Sequence, residues 1–265
     1  MANCMNEIKR YIAAALFVLF VPFSAVAASG DEFEADDYLN FSQEARLAEE
    51  DPLEGFNRAM HSFNEVVDNI VLGPVAKIYK AVLPQYAQNR VYNFLDNVEA
   101  PVVFINSLLQ GDPQNLFVTF WRFVFNTTLG VGGIFDIATE LGVPQRSDED
   151  FGQTLGVWGV GQGAYLELPI IGPSSLRDAP GRVIDIFLNP FTYALEPAES
   201  VAIGVTRAVD TRARLDRYID QVNTTSLDPY ATFRSLYLQR QAALVSNFAD
   251  PQEKRLPAPR RPGPG

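Results

Sequence analysis

The chain of 265 residues is 47% hydrophobic and 20% charged, with a formal net charge of −11. That length admits one large domain or two small ones, and the apolar fraction is ample for a core. The acidic balance argues against sequence-independent nucleic-acid binding, which needs Lys and Arg to neutralise phosphates, but leaves membranes open, because apolar insertion needs no basic patch.

The first segment has the plan of a secretory signal. Lys9 and Arg10 form a basic start, Ile12 to Val21 an apolar stretch, and Ala25-Val26-Ala27 a small-residue cleavage site. The apolar stretch is too short for a spanning helix. The expected organisation is a signal peptide at 1–27, an acidic flexible leader at 28–50, a folded domain at 51–250 and a Pro-rich tail at 251–265. The mature chain is expected to work outside the cytoplasm. The single cysteine, Cys4, precedes the apolar stretch. The mature chain is therefore expected to have no disulfide, no thiolate nucleophile, no Cys metal site and no lipid-anchor cysteine. Residues 31 to 54 hold ten acidic side chains against one basic, Arg46, which suits a mobile leader.

Helical spacing dominates the folded part. Phe56, Met60, Phe63, Val67, Ile70 and Val71 form one apolar stripe, which Gly73-Pro74 is expected to close. Further on, "APVVFINSLLQ" leads through "GDPQ", where Asp112 and Pro113 supply an N-cap and an N1 proline. In Leu116 to Phe125 only Thr119 and Arg122 are polar, with little polar company on their helix faces. A helix apolar nearly all round is buried in protein or exposed to lipid. For Phe117, Phe120, Trp121 and Phe123 both packing in a bundle and lipid contact stand, the all-round apolarity favouring lipid for part of them. The stretch then crosses a Gly-rich turn at Gly130, Gly132 and Gly133 and becomes apolar again, as a hairpin between two lipid-adapted helices. Neither arm is long enough to cross a bilayer.

"RSDED" at 146–150 fits a helix N-cap with a charged first turn better than a calcium loop. Only "AYLELPII" (164–171) looks extended. A helix from about Glu199 to Asn223 places Val201, Val205, Ala208, Leu215 and Val222 on one side. Its Asp210–Arg214 and Arg212–Asp216 pairs have supportive i,i+4 spacing. A last helix starts at "SLDPY" with Asp228 as N-cap and Pro229 at N1; Phe233, Tyr237, Leu244 and Phe248 form its stripe, and Asp250-Pro251 ends it.

Catalytic chemistry is hard to find. His61 is the one histidine and reads as a boundary residue of the first stripe. "GVWGVGQGAY" lacks the GxGxxG spacing, and neither GxxxxGK[ST] nor GxSxG occurs. No catalytic residue, metal or cofactor is expected, and binding or transport is favoured over catalysis.

Five motifs in order carry a resemblance: "DPLEGFNRAMHSFN" (51–64), "LLQGDP" (108–113), "RFVFNTTLGVGGIFDIA" (122–138), "DFGQTLGVWGVGQGAYLELPIIGPSSLRDAPG" (150–181) and "DPYATFRSLYLQRQ" (228–241). Together they resemble the MlaA (VacJ) family of outer-membrane phospholipid-transport proteins. The resemblance implies an all-α, ring-like monotopic arrangement of amphipathic helices around a central polar channel, on the periplasmic side of the outer membrane. It implies removal of mislocalised phospholipid from the outer leaflet, which maintains lipid asymmetry. The implied partners are phospholipid, a trimeric porin, a soluble periplasmic lipid carrier (MlaC-like) and, indirectly, an inner-membrane ABC transporter. Many relatives are lipoproteins, and here the chain departs from them. The competing class is a soluble periplasmic structural or interaction protein without transport activity.

On that resemblance, Arg177, Asp178 and Asp185 become candidates for a headgroup route; a surface turn with a satisfied ion pair is the equal alternative. Phe63 and Asn64 become candidates to touch the Gly-rich hairpin or the channel mouth, with core packing the stronger expectation for Phe63. Leu129, Gly130, Val131, Gly132, Gly133 and Phe135 form the hairpin expected to gate or support the channel.

Overall fold

The computed structural model describes residues 51–249. The signal, leader and tail segments expected at 1–27, 28–50 and 251–265, and the helix stop at Asp250-Pro251, lie outside those residues. The described residues are mostly helical: α1 (Glu54–Val67), a π-helical turn (Asp68–Leu72), α2 (Gly73–Val82), α3 (Gln85–Gln110), α4 (Pro113–Thr128), α5 (Ile137–Glu140) and α6 (Phe151–Val157). A two-stranded hairpin follows, β1 (Tyr165–Leu168) and β2 (Gly172–Ser175), then α7 (Asp178–Leu188), α8 (Phe191–Ala194), α9 (Pro197–Thr225) and α10 (Pro229–Ala249). The all-α expectation holds, with one antiparallel hairpin added, Tyr165 facing Ser175 and Leu168 facing Gly172.

The capping residues sit where local chemistry puts them. Asp112 accepts from the backbone N–H of Gln114 and Asn115, Asp150 from Gln153 and Asp228 from Ala231. Asp112 and Asp228 are followed by a proline at N1, whereas after Asp150 the first turn is Phe151-Gly152-Gln153, so the charged first turn expected from "RSDED" does not form and its charges precede the helix. The i,i+4 pairs on α9 also form, Arg214 to Asp210 at 2.7 Å and Arg212 to Asp216 at 2.8 Å.

Gly73-Pro74 does not close the first helix. Gly73 is in helical conformation and its N–H reaches back five residues to the Asp68 carbonyl. The widened turn takes up one extra residue, so Pro74 enters at the start of α2, where its missing N–H costs little. The Gly-rich stretch likewise joins α4 to a single helical turn, α5, and not to a second long arm. Asp136 starts that turn by accepting from the Thr139 N–H.

Packing neighbours follow one another in a closed circuit. α1 packs on β1, β2 on α10, α10 on α9, α9 on α2, and α2 returns through the π turn to α1. α3 packs against α4, α6, α7 and α9, so the longest uninterrupted neighbour of the circuit ties four helices together.

Side chains are distributed the opposite way from a water-soluble domain. Among the described residues, buried polar side chains outnumber buried apolar ones, while large apolar side chains crowd the surface. Phe56, Phe63, Val66, Ile70 (70% exposed), Val71, Ile78 and Val82 face outward along α1 to α2, and Val201, Val205 and Leu215 along α9. Phe63 is therefore not a core residue: it is 45% exposed. On α4, Phe117 and Phe120 are exposed, while Asn115, Thr119, Arg122 and Asn126 form the buried line. Their spacing of four, three and four is one helix face. Thr119 and Arg122 thus do share a face with polar company, and it is the face that turns inward.

Candidate functional site

Buried polar groups must find partners, and the partners here are organised as seams between helices. The first joins α1 to the hairpin. Asn57 donates to the Tyr165 carbonyl (3.0 Å) and accepts from the Glu167 N–H (2.9 Å). One turn pair further along the same face, Asn64 donates to the Leu168 carbonyl (2.9 Å) and accepts from the Ile170 N–H (2.6 Å). Two asparagine side chains thereby satisfy the edge that β1 would otherwise leave open. Glu167 lies at the centre, 2% exposed, taking hydrogen bonds from Asn64 and the Tyr165 hydroxyl, with His61 Nδ1 3.8 Å away. Burial, then the Glu167 hydrogen bond, raises the Tyr165 hydroxyl above its ordinary range.

A second seam runs along α4. Arg122, 2% exposed, holds Asp136 through two bonds of 2.7 and 2.8 Å. Asn126 donates to Asp136 and accepts from the Ala138 N–H. Burial alone would push the Asp136 carboxyl up, but Thr139, Arg122 and Asn126 together hold it below the usual carboxylate range. This seam fixes both ends of the Gly-rich turn. Within it, Gly133 (φ 96°) packs so closely that an added Cβ would meet the Asn97 side chain at 2.3 Å. Gly130 is equally hemmed in by the carbonyls of Phe135 and Asn126. Asn97 of α3 donates to Thr127 Oγ1, and Asn93 to the Ile134 carbonyl. Leu129, Val131 and Phe135 remain on the outside.

A third seam lies between α3, α6 and α7. Asp185 accepts from Asn106 (2.8 Å) and from the Phe151 N–H, and Thr154 donates to Asn106. Burial pushes the Asp185 carboxyl up to about 6, and that of nearby Glu149, which Gln110 contacts, up to about 7.

The structure therefore divides the expected site residues into separate places. Arg177 and Asp178 are a buried pair at 2.7 Å, not a surface turn. Asp178 also accepts from Tyr237 and lies beside Gly152, so it and Asp185 meet at the start of α6. Asn64 serves the β hairpin; its hydrogen bonds go there and none goes to the Gly-rich turn among the described residues. The residues that do hold the Gly-rich turn, Asn93, Asn97, Arg122 and Asp136, escaped the sequence reading. Their signal is faint but real: an amide or charge recurring at helical spacing inside an apolar segment marks a face that looks inward.

Among the described residues no helix is long and apolar enough to cross a membrane. Apolar surface of this extent outside polar seams defines a helical protein built for an apolar surround. Its particular family follows from comparison with known proteins. The MlaA lipoprotein family matches residues 49–244, and the chain belongs to it. The chain is 42% identical over 193 residues to the intermembrane phospholipid transport system lipoprotein MlaA of Escherichia coli, covering 72% of this chain and 76% of that one. It is 34% identical over 250 residues to an uncharacterized protein of Rickettsia bellii, covering 91% and 98%. A solved structure described as the structural basis for maintenance of bacterial outer membrane lipid asymmetry aligns with TM-score 0.67 and 38% identity. It covers 74% of this chain and 99% of its own. The relatives' name says lipoprotein, whereas the one cysteine in this sequence is Cys4.

Proposed function

We propose that this protein removes mislocalised phospholipid from the outer leaflet of the outer membrane and passes it to a soluble periplasmic carrier, maintaining lipid asymmetry. One observation carries the reading: apolar side chains face outward while the polar groups are gathered inside. Leaving lipid for water costs two acyl chains of about 15 carbons ~0.8 kcal/mol per CH₂, some 20 kcal/mol in all. Taking a charged headgroup through hydrocarbon costs several kcal/mol or more. A circuit of helices with this polarity lowers the second barrier and leaves the chains near their own solvent, so a path and a receiver suffice without bond cleavage on this chain. Direction comes from the ATP-driven inner-membrane complex behind the carrier, and a trimeric porin steadies the protein in the bilayer. Apolar area worth roughly 25 cal/mol per Å² holds it in the periplasmic face of the membrane without a lipid anchor.

In this scheme Arg177, Asp178 and Asp185 lock α6 to α7 and shape the wall of the route. The Gly-rich turn is its mouth, held at the base by Arg122 and Asp136 and at the Gly132 carbonyl by Asn97, with the exposed Leu129 and Val131 side chains as its movable tip. Deleting the gene should raise the phospholipid exposed on the outer leaflet and sensitise cells to detergent, with the intact gene restoring both. A deletion strain with normal outer-leaflet lipid would overturn the function. A disulfide that ties down the turn's tip should leave membrane fractionation unchanged yet fail to restore the barrier.

A further inference from the structure

Most arginines drawn into this fold are held by a carboxylate or, as Arg182 is, by a backbone carbonyl. Arg122, Arg146, Arg177 and Arg212 each hold a carboxylate. Arg90 is half-buried on α3, and its Nε is buried without a hydrogen-bond partner; no carboxylate pairs with it among the described residues. What surrounds it is aromatic. Its guanidinium carbon lies 4.7 Å from the centre of the Tyr86 ring, one helical turn back, and 5.2 Å from that of Phe135 on the Gly-rich turn.

Two aromatic rings draw in a guanidinium and strip part of its water, yet leave its donors unused. A planar donor fork in that state suits a singly charged phosphodiester, which it can grip through two hydrogen bonds. The neighbourhood is amphipathic in the right sense. The same turn exposes Leu129 and Val131, while Asn93 and Asn97 of the same α3 face fix its backbone.

We propose that Arg90, between Tyr86 and Phe135, grips the phosphodiester of a glycerophospholipid at the Gly-rich turn, with Leu129 and Val131 against the first methylenes of its acyl chains. The proposal rests on the phospholipid reading above and assigns it a point of headgroup contact. The site would accept any headgroup beyond the phosphate, because no described contact of Arg90 selects among them.

The test uses the full chain in detergent and three soluble probes: dihexanoyl phosphatidylglycerol, the uncharged dihexanoylglycerol, and inorganic phosphate. Binding is followed by calorimetry, with thermal unfolding as a check on the fold. Arg90→Gln should weaken the phospholipid about ten- to a hundredfold, change dihexanoylglycerol by less than about twofold, and keep the unfolding midpoint. Arg90→Lys, which retains charge without the fork, should fall between. Inorganic phosphate should not compete at matched concentration, which separates a lipid site from a free-anion site. Equal phospholipid binding by Arg90→Gln, equal loss of both lipid probes, or full competition by inorganic phosphate would each overturn the proposal. In cells, an Arg90→Gln strain with a normal barrier beside a leaky deletion strain removes Arg90 and leaves the transport reading intact.

Discussion

Two turns push apolar side chains outward in this protein, and they are held in opposite ways. The turn at 129–135 is rich in glycine, and its base is bound from two sides: by Arg122 and Asn126 of α4 through Asp136, and by Asn93 and Asn97 from α3. The turn at 169–171 contains no glycine. It places Ile170 at φ 68°, as the first turn places Val131 at φ 54°, a conformation that β-branched residues avoid, and beyond the Leu168–Gly172 strand pair it is held by one side chain, Asn64. The glycine-rich turn is therefore the more heavily tethered of the two at its base.

That contrast can be broken at its strong end first. Replacing Arg122 with Met leaves Asp136 without its cation and should cost about 3–5 kcal/mol, read as a lowered unfolding midpoint in detergent. The loss has a pH signature. Asp136 titrates lower in the folded protein than in the unfolded chain, so its contribution is complete above the ordinary carboxylate value of about 4 and fades as pH falls through its depressed value. The gap between parent and Arg122→Met should narrow in acid; a gap that widens there would discredit the ion pair as the source. Next in size, Gly133→Ala must both force a positive φ on alanine and displace Asn97, for about 2–3 kcal/mol. If the variant melts with the parent, the close approach at that glycine is not a constraint.

At the weak end, Asn64→Ala should cost roughly 2 kcal/mol. Its clearest readout is hydrogen exchange, faster at the Ile170 amide and unchanged at Gly133; equal acceleration at both turns would erase the distinction between them. The smallest effect sharpens it from the other side. Ile170→Gly relieves the left-handed strain, for a gain of about 1 kcal/mol in detergent, and a loss there would mean that the strain is not where the backbone angle places it.

Much of the architecture was legible because its signals are local. Asp112, Asp150 and Asp228 announce helix starts through chemistry confined to one turn, and the apolar stripes gave the helices their spans. What failed needed distant partners. The segment "GPSS" has little strand character of its own; it pairs because "YLEL" lies opposite, with Asn57 and Asn64 holding the other edge. Thr119 and Arg122 looked like isolated polar interruptions because polarity is ordinarily read as outward-facing, and in an apolar surround that rule reverses. For the same reason the surface-turn alternative for Arg177 and Asp178 fails: the pair is buried. Arg90 left no sequence signal, since its meaning lies in Phe135, 45 positions away in the chain.

The π turn at 68–72 is more than a way past Pro74. A helix that stops in hydrocarbon strands its last four carbonyls, and the next helix its first four N–H groups, with no water to receive them. Here the chain passes from α1 to α2 with Gly73 still bonded to Asp68, under a face where Ile70 and Val71 are exposed. The widened turn also sets the phase of everything that follows. One residue added or removed there rotates α2 by about 100°, carrying Ile78 and Val82 towards the interior and Tyr79 away from its bond to Asp210. Insertions and deletions in this short segment should thus be tolerated far less than substitutions.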